Sequence, residues 1–174
     1  MQPCTISQRI EVPTAVVFDY LADLANFAEF TDHFLGEWRM TREETYGKGA
    51  GGRFKEELPF SRFGWGDMAV VQFEQPSLIV LAGRSGKYNR IRTLTAFQLS
   101  DAGEGATNLD LTIETHPVYP SDKLLEAIGQ NRARKRGWKK SLRRLAAGLE
   151  HGKRLGAPAT IAGGARKPAT GLRG

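Results

Sequence analysis

The hydrophobic period of this chain changes three times, and those changes restrict the fold more than any other feature. "CTISQRIEV" sets Ile6, Gln8, Ile10 and Val12 against Ser7, Arg9 and Glu11, the alternation of a half-buried strand. "PTAVVFDYLADLANF" then brings Val17, Leu21, Leu24 and Phe27 round at steps of three and four, with Pro13 placed to open a helix. "NFAEFTDHF" reads as a second, short helix in which Asn26 and Glu29 have the spacing of a capping box. From residue 37 the period returns to two, predicting strands near 37–45, 52–58, 66–75, 78–83, 88–100 and 106–115. The breaks "YGKGAGG", "PFSRFGWG", "QPS", "RSGK" and "DAGEG" are turn material, short enough to make neighbouring strands antiparallel. After "HPVYP" the period lengthens again. Ser121 is placed to cap a long terminal helix whose apolar positions Leu124, Ile128, Trp138, Leu142, Leu145 and Leu149 form one stripe.

An α+β fold follows from that order. A curved antiparallel sheet buries the terminal helix against its concave face. Strands bent around a single helix leave an apolar space beside it, a natural ligand cavity.

At 174 residues, 40% hydrophobic and 25% charged, the chain suits one domain with a substantial core. No apolar run approaches the roughly 18–20 residues of a membrane span, and "MQPCTISQRIEV" lacks the pattern of a secretory leader. Cys4 is the single cysteine, which excludes an internal disulfide, and a cytoplasmic location is the expectation. The net charge of +6 hides an asymmetry. Residues 1–131 carry 12 Lys/Arg and 18 Asp/Glu, whereas residues 132–174 carry 13 Lys/Arg against Glu150 alone. "RARKRGWKKSLRRL" holds eight of those cations. Beyond Lys153 the sequence turns rich in Gly, Ala and Pro, so we expect a ligand-binding domain over 1–153 and a disordered basic tail over 154–174.

Between about residues 4 and 151 the chain resembles the START-like, helix-grip superfamily (SRPBCC), which includes polyketide cyclase/dehydrase-like and lipid-transfer proteins. The stretches that carry the resemblance are "ISQRIEVPTAVVFDYLADLANFAEF", "VVQFEQP", "TAFQLSDAGEGATNLDLTIE" and "SLRRLAAGLE". It implies a seven-stranded antiparallel sheet gripping the C-terminal helix, with two short helices after the first strand and a hydrophobic ligand between. It implies also that the face shared by Thr93, Thr95, Phe97 and Leu99, and that of Leu109, Leu111, Ile113 and Thr115, look inward. Relatives bind lipids, sterols, polyketides or quinones, and a minority catalyse cyclisation or dehydration. In pollen-allergen relatives a glycine-rich loop lies near the cavity entrance. By that likeness "GKGAGG" would bring Lys48 and Arg53 to an anionic ligand group, although the residues themselves, with no "GK[ST]" and a strand following, read as a flexible hairpin turn.

Other candidates come from the residues themselves. Phe60, Phe63 and Trp65 surround a turn, where they either gate a cavity or fold back on the sheet edge. Phe54, Glu56 and Leu58 share one strand face. An inward Glu56 requires a partner, because an unpaired buried carboxylate costs several kcal/mol; the alternative is a solvated edge. Should the chain be an enzyme, Glu56 is the first acid/base candidate. His33, His116 and His151 show no metal-ligand spacing, and no nucleophile motif is present, so we name no metal, cofactor or firm catalytic set.

On the terminal helix, stepping 100° per residue sets Arg136, Lys140, Arg143 and Arg144 away from the apolar stripe. Arg132, Arg134 and Lys139 fall on its shoulders, and Asn131 and Lys135 within it, as polar cavity candidates alongside Trp138. The expected function is binding of a small hydrophobic molecule, as carrier or sensor. Two alternatives stay open: a polyketide cyclase/dehydratase-like enzyme, and contact of the basic helix face with anionic membrane or RNA. No DNA-binding motif is present.

Overall fold

The computed structural model describes residues 2–60, 64–152, 156 and 158–161, with the backbone of 164–165. Strand β1 (Cys4–Ile10) leads into α1 (Thr14–Ala22), a 3-10 turn at Leu24–Asn26 and the short α2 (Phe27–Thr31). The meander comes next as β2 (Leu35–Met40), β3 (Gly51–Glu56), β4 (Trp65–Glu74), β5 (Leu78–Ser85), β6 (Ile91–Gly103) and β7 (Ala106–His116). After it lie α3 (Pro120–Leu125), a widened π turn over Glu126–Gln130, and α4 (Asn131–His151).

The seven strands lie in the order β1-β7-β6-β5-β4-β3-β2, antiparallel at every pairing. Register slips between Gly36 and Arg39 and between Val70 and Gln72 mark bulges, which bend the strands around the helices. At the β2 edge, β8 (Thr160–Ile161) pairs in parallel through Arg39 and Thr160, and β9 (Gly164–Ala165) pairs with β8. The tail is therefore not structureless where it crosses β2: Ala159 is buried, and the Thr160 hydroxyl donates to the Trp38 carbonyl at 3.1 Å.

The faces of β6 and β7 that the resemblance sets inward do look into the core, and the face of β3, left open by the sequence, joins them. Phe54, Thr95, Phe97, Leu99, Leu109, Leu111 and Ile113 are all buried. With Phe18, Phe27, Phe30 and Trp138 they form one core, in which the Phe27 ring stands edge-on to Phe97 at 5.6 Å and Phe34 edge-on to Trp138 at 5.5 Å.

Local details depart from the sequence expectation. Asn26 and Glu29 form no capping box: Asn26 Nδ2 donates to the Tyr20 carbonyl at 2.8 Å, and Glu29 accepts from the Tyr20 hydroxyl at 2.9 Å. Asp23 caps instead, accepting from the Ala25 N–H at 3.1 Å and the Thr45 hydroxyl at 2.6 Å. Ser121 is not a cap either, since the helix starts at Pro120 with Tyr119 before it. Leu124 and Ile128, expected inside the apolar stripe, are 60% and 59% exposed. The π turn explains this, because each extra residue in a turn rotates the helix before it by about 100° relative to the helix after it.

Candidate functional site

A cavity of about 280 Å³ opens where α3 and the first turn of α4 face the ends of β3, β5 and β6. Leu58, Phe60, Ile91 and Leu125 give it apolar walls. It shares Glu56, Ser85 and Arg134 with a recess of about 20 Å³ that reaches down between sheet and helix, lined by Phe54, Thr93, Thr95, Ile113, Thr115 and Trp138.

Arg134 and Glu56 stand at the junction. Arg134 is 3% exposed and Glu56 8%. The guanidinium donates from Nε to one carboxylate oxygen at 2.8 Å and from Nη2 to the other at 3.1 Å. Its third nitrogen, Nη1, lies 3.7 Å from a Glu126 oxygen that already accepts from the Thr115 hydroxyl at 2.7 Å. Burial works against the Arg134 charge, but the attraction and hydrogen bonds of Glu56, helped by Glu126, outweigh it and raise its pKa. Glu56 therefore takes the inward position with a partner, and the solvated-edge alternative is set aside. Both of its oxygens accept from Arg134, which makes it a fixed charge that orients the guanidinium.

Two clasps hold the mouth. Arg90, after β5, pairs with the buried Asp122 of α3 at 2.7 Å and lies over the Tyr119 ring at 4.6 Å. Gln130 donates to the Pro59 carbonyl at 3.1 Å and ties the π turn to the loop after β3. Phe60, 71% exposed, stands at the rim of the cavity.

Several expected site residues lie elsewhere. Phe97, Leu99 and Leu111 are core residues beyond the cavity walls. Asn131 lines a shallow groove of about 500 Å³ on the far side of Glu126 and Thr115. Lys135 points to solvent, and Lys48 is exposed on a loop whose Gly47 and Gly49 N–H groups bond to Ala22 and Val70. Neither lines the cavity. Arg53 and Trp65 share the outer sheet face, where the guanidinium sits 4.9 Å over the indole, with Arg39 at 5.3 Å. Phe63 lies outside the described residues. Of the basic-surface set, Arg136, Lys140 and Arg143 are exposed as expected. Arg144 is not free surface: it pairs with Asp32 at 2.7 Å, donates to the Glu29 carbonyl at 3.2 Å and meets His33 Nδ1 at 3.2 Å.

Sequence reasoning missed Arg134, Ser85, Arg90, Asp122, Glu126 and Gln130. The expected separation of the two cations, Arg134 on the shoulder and Lys135 within the stripe, does not hold even by phase: both lie about 50° from the centre of the Trp138–Leu142–Leu145–Leu149 stripe, on opposite sides. Small residues decide it. Gly137, Ser141 and Gly148 are buried, and counting them rotates the inward face by about 30° toward Arg134. A Cβ on Gly137 would stand 2.6 Å from the Phe34 ring, so helix and ring meet where no side chain fits. Ser85 was legible in principle, since it continues the inward parity of Ile79 and Leu81 two residues past the expected strand end.

No family model and no curated protein matches the chain. Solved structures do. The KanY protein superposes with a TM-score of 0.68 at 14% identity, over 85% of this chain and 97% of that one. Norcoclaurine synthase from Thalictrum flavum gives 0.64 at 9% identity, over 87% and 95%. Protein CV1439 from Chromobacterium violaceum gives 0.60 at 18%, over 85% and 97%. The fold is the START-like helix grip. Within that helix-grip frame the floor of the cavity is formed by side chains of this chain's own, Glu56 from β3 and Arg134 from α4.

Proposed function

We propose that this helix-grip protein binds a small, largely apolar molecule in the cavity between sheet and helix, as a carrier or sensor. One observation carries the reading: an opening of about 280 Å³ with apolar walls leads to a buried, hydrogen-bonded ion pair and a recess between sheet and helix. Pockets of this kind, apolar with few placed polar groups, are how proteins orient small ligands. Native mass spectrometry of protein purified from its own host, followed by organic extraction, tests it. A stoichiometric apolar molecule is expected, and a consistently empty protein would sink the reading.

A catalytic reading gains support from one neighbour, whose name makes it a synthase. Against it, Glu56 has both oxygens committed to Arg134. Turnover would therefore have to use Arg134 as an electrophilic donor rather than Glu56 as a base. A separate role for the basic helix is supported by the exposure of Arg132, Arg136, Lys139, Lys140 and Arg143 along α4. Binding to RNA or anionic vesicles that falls steeply with salt, and vanishes when Arg136, Lys140 and Arg143 become Glu, would establish that role.

A further inference from the structure

We propose that the outer face of the sheet docks a single strand of nucleic acid, independently of the cavity and of the cations on α4. One row of directly paired residues crosses the sheet from β2 to β7. Arg39 opposes Arg53, Arg53 opposes Asp67, and Asp67 opposes Arg84. Arg84 then opposes Arg92, and Arg92 opposes His116. Paired residues point to the same side of a sheet, and here that side is solvent: the four arginines are exposed, while Phe54, Met68, Ser85 and Ile91 beside them are buried. Like charges directly opposite each other destabilise an antiparallel pair, so the row works against the fold until an anion completes it.

The chain's own carboxylates do not complete it. Asp67, in the middle of the row, accepts from the Arg84 backbone N–H at 3.1 Å rather than from a guanidinium. At one end Glu37 is shared by Arg39 at 3.7 Å and Lys55 at 3.2 Å, and at the other Glu114 holds His116 at 3.0 Å. Among the described residues no carboxylate comes within 4.0 Å of the Arg53, Arg84 or Arg92 guanidinium. Arg39 to Arg92 spans about 19 Å, four strand spacings, a line of charge suited to successive phosphates. The Trp65 indole helps to hold one end of it, 4.9 Å below Arg53 and 5.3 Å from Arg39.

Shape selects the kind of polyanion. The next row along the strands is apolar and low: Ala69 opposes Ala82, which opposes Leu94, 38% exposed. A single strand with its phosphates on the arginines can lay its bases on this strip. A duplex keeps its base faces inside its own stack and has nothing to place there. A bilayer needs apolar side chains that protrude, and Ala69 and Ala82 end at Cβ. The helix cations are a different surface, because α4 packs against the opposite face of the sheet through Trp138 and Leu142.

Fluorescence anisotropy of a labelled 12-residue oligouridylate with the full chain tests the proposal. Affinity should fall with salt at a log–log slope of about −3, roughly 0.7 for each of four phosphates. Arg84→Gln combined with Arg92→Gln should weaken binding about tenfold and, by relieving the repulsion, raise the melting temperature by about 1–3 °C. A merely structural pair would lose both together. Neutralising the helix, with Arg136, Lys140 and Arg143 all changed to Gln, should leave the oligonucleotide bound. The proposal is overturned if the native chain does not bind the oligonucleotide, if the sheet variant binds it unchanged, or if the helix variant loses it. Equal affinity for a duplex, for inorganic polyphosphate or for anionic vesicles overturns it too, because the apolar strip then selects nothing. A native dimer that the sheet variant converts to monomer would assign the face to a second copy of the chain instead.

Discussion

Arg134 Nε and Nη2 donate to the two carboxylate oxygens of Glu56, 78 residues away in sequence, and join α4 to β3 at the floor of the cavity. The pair is not symmetric in its consequences. Arg134→Met would strip the buried Glu56 carboxylate of both its hydrogen bonds and remove a cation from beside Glu126. Glu56→Gln leaves Arg134 facing Glu126. We expect Arg134→Met to lower unfolding free energy by about 3–5 kcal/mol and Glu56→Gln by clearly less, measured by urea denaturation. Equal losses would show that Glu126 contributes nothing to holding the guanidinium.

Gly137 sets how closely α4 approaches the Phe34 ring. Gly137→Ala improves helix propensity but pushes a methyl group to 2.6 Å from a ring atom near the base of that side chain. Overpacking should win, with a loss of about 1–3 kcal/mol in a thermal or urea melt. A stabilised variant would mean that Phe34 swings away freely.

Lys135 is exposed and lines no part of the cavity. Lys135→Ala should change stability by no more than about 0.5 kcal/mol and leave ligand binding in the cavity unaltered. Joint reversal of Arg136, Lys140 and Arg143 to Glu should likewise leave cavity occupancy by native mass spectrometry unchanged. Loss of ligand in either variant would tie the outer helix face to the site.

His33 gives the fold a pH dependence of known sign. Its Nε2 lies 3.2 Å from the Gly137 carbonyl and its Nδ1 3.2 Å from Arg144 Nη1, so the neutral ring donates to the first and accepts from the second. Burial lowers its pKa; Arg144 and Lys140 add to this, while the Gly137 bond and Asp32 oppose it. The folded protein therefore binds a proton less readily than the unfolded chain. This contribution is complete above the unfolded value of about 6.5 and is lost as pH falls from there toward the lowered folded value. Urea midpoints measured from pH 7.5 to 5 should fall less steeply in His33→Gln than in the native chain. Parallel slopes would remove His33 from the account.

Local pattern was enough to set the order of elements and which residues share a face on β3, β6 and β7, because strand parity and helical period are properties of neighbouring residues; the resemblance supplied the inward side of β6 and β7, and the side of β3 stayed open. Thr95, Phe97 and Ile113 face inward as the resemblance implied, and Phe54 and Glu56 share the inward face of β3, which parity paired without saying which side it took. Which cation of α4 enters the site was beyond its reach. Arg134 and Lys135 are equivalent by phase, and neither the widened turn at Glu126–Gln130 nor the exposure of Leu124 and Ile128 leaves a local signal. Tertiary packing made that choice. Contact between Gly137 and Phe34 rotates the helix until Arg134 meets Glu56, and a buried carboxylate on β3 is tolerated only because that guanidinium arrives to pair with it.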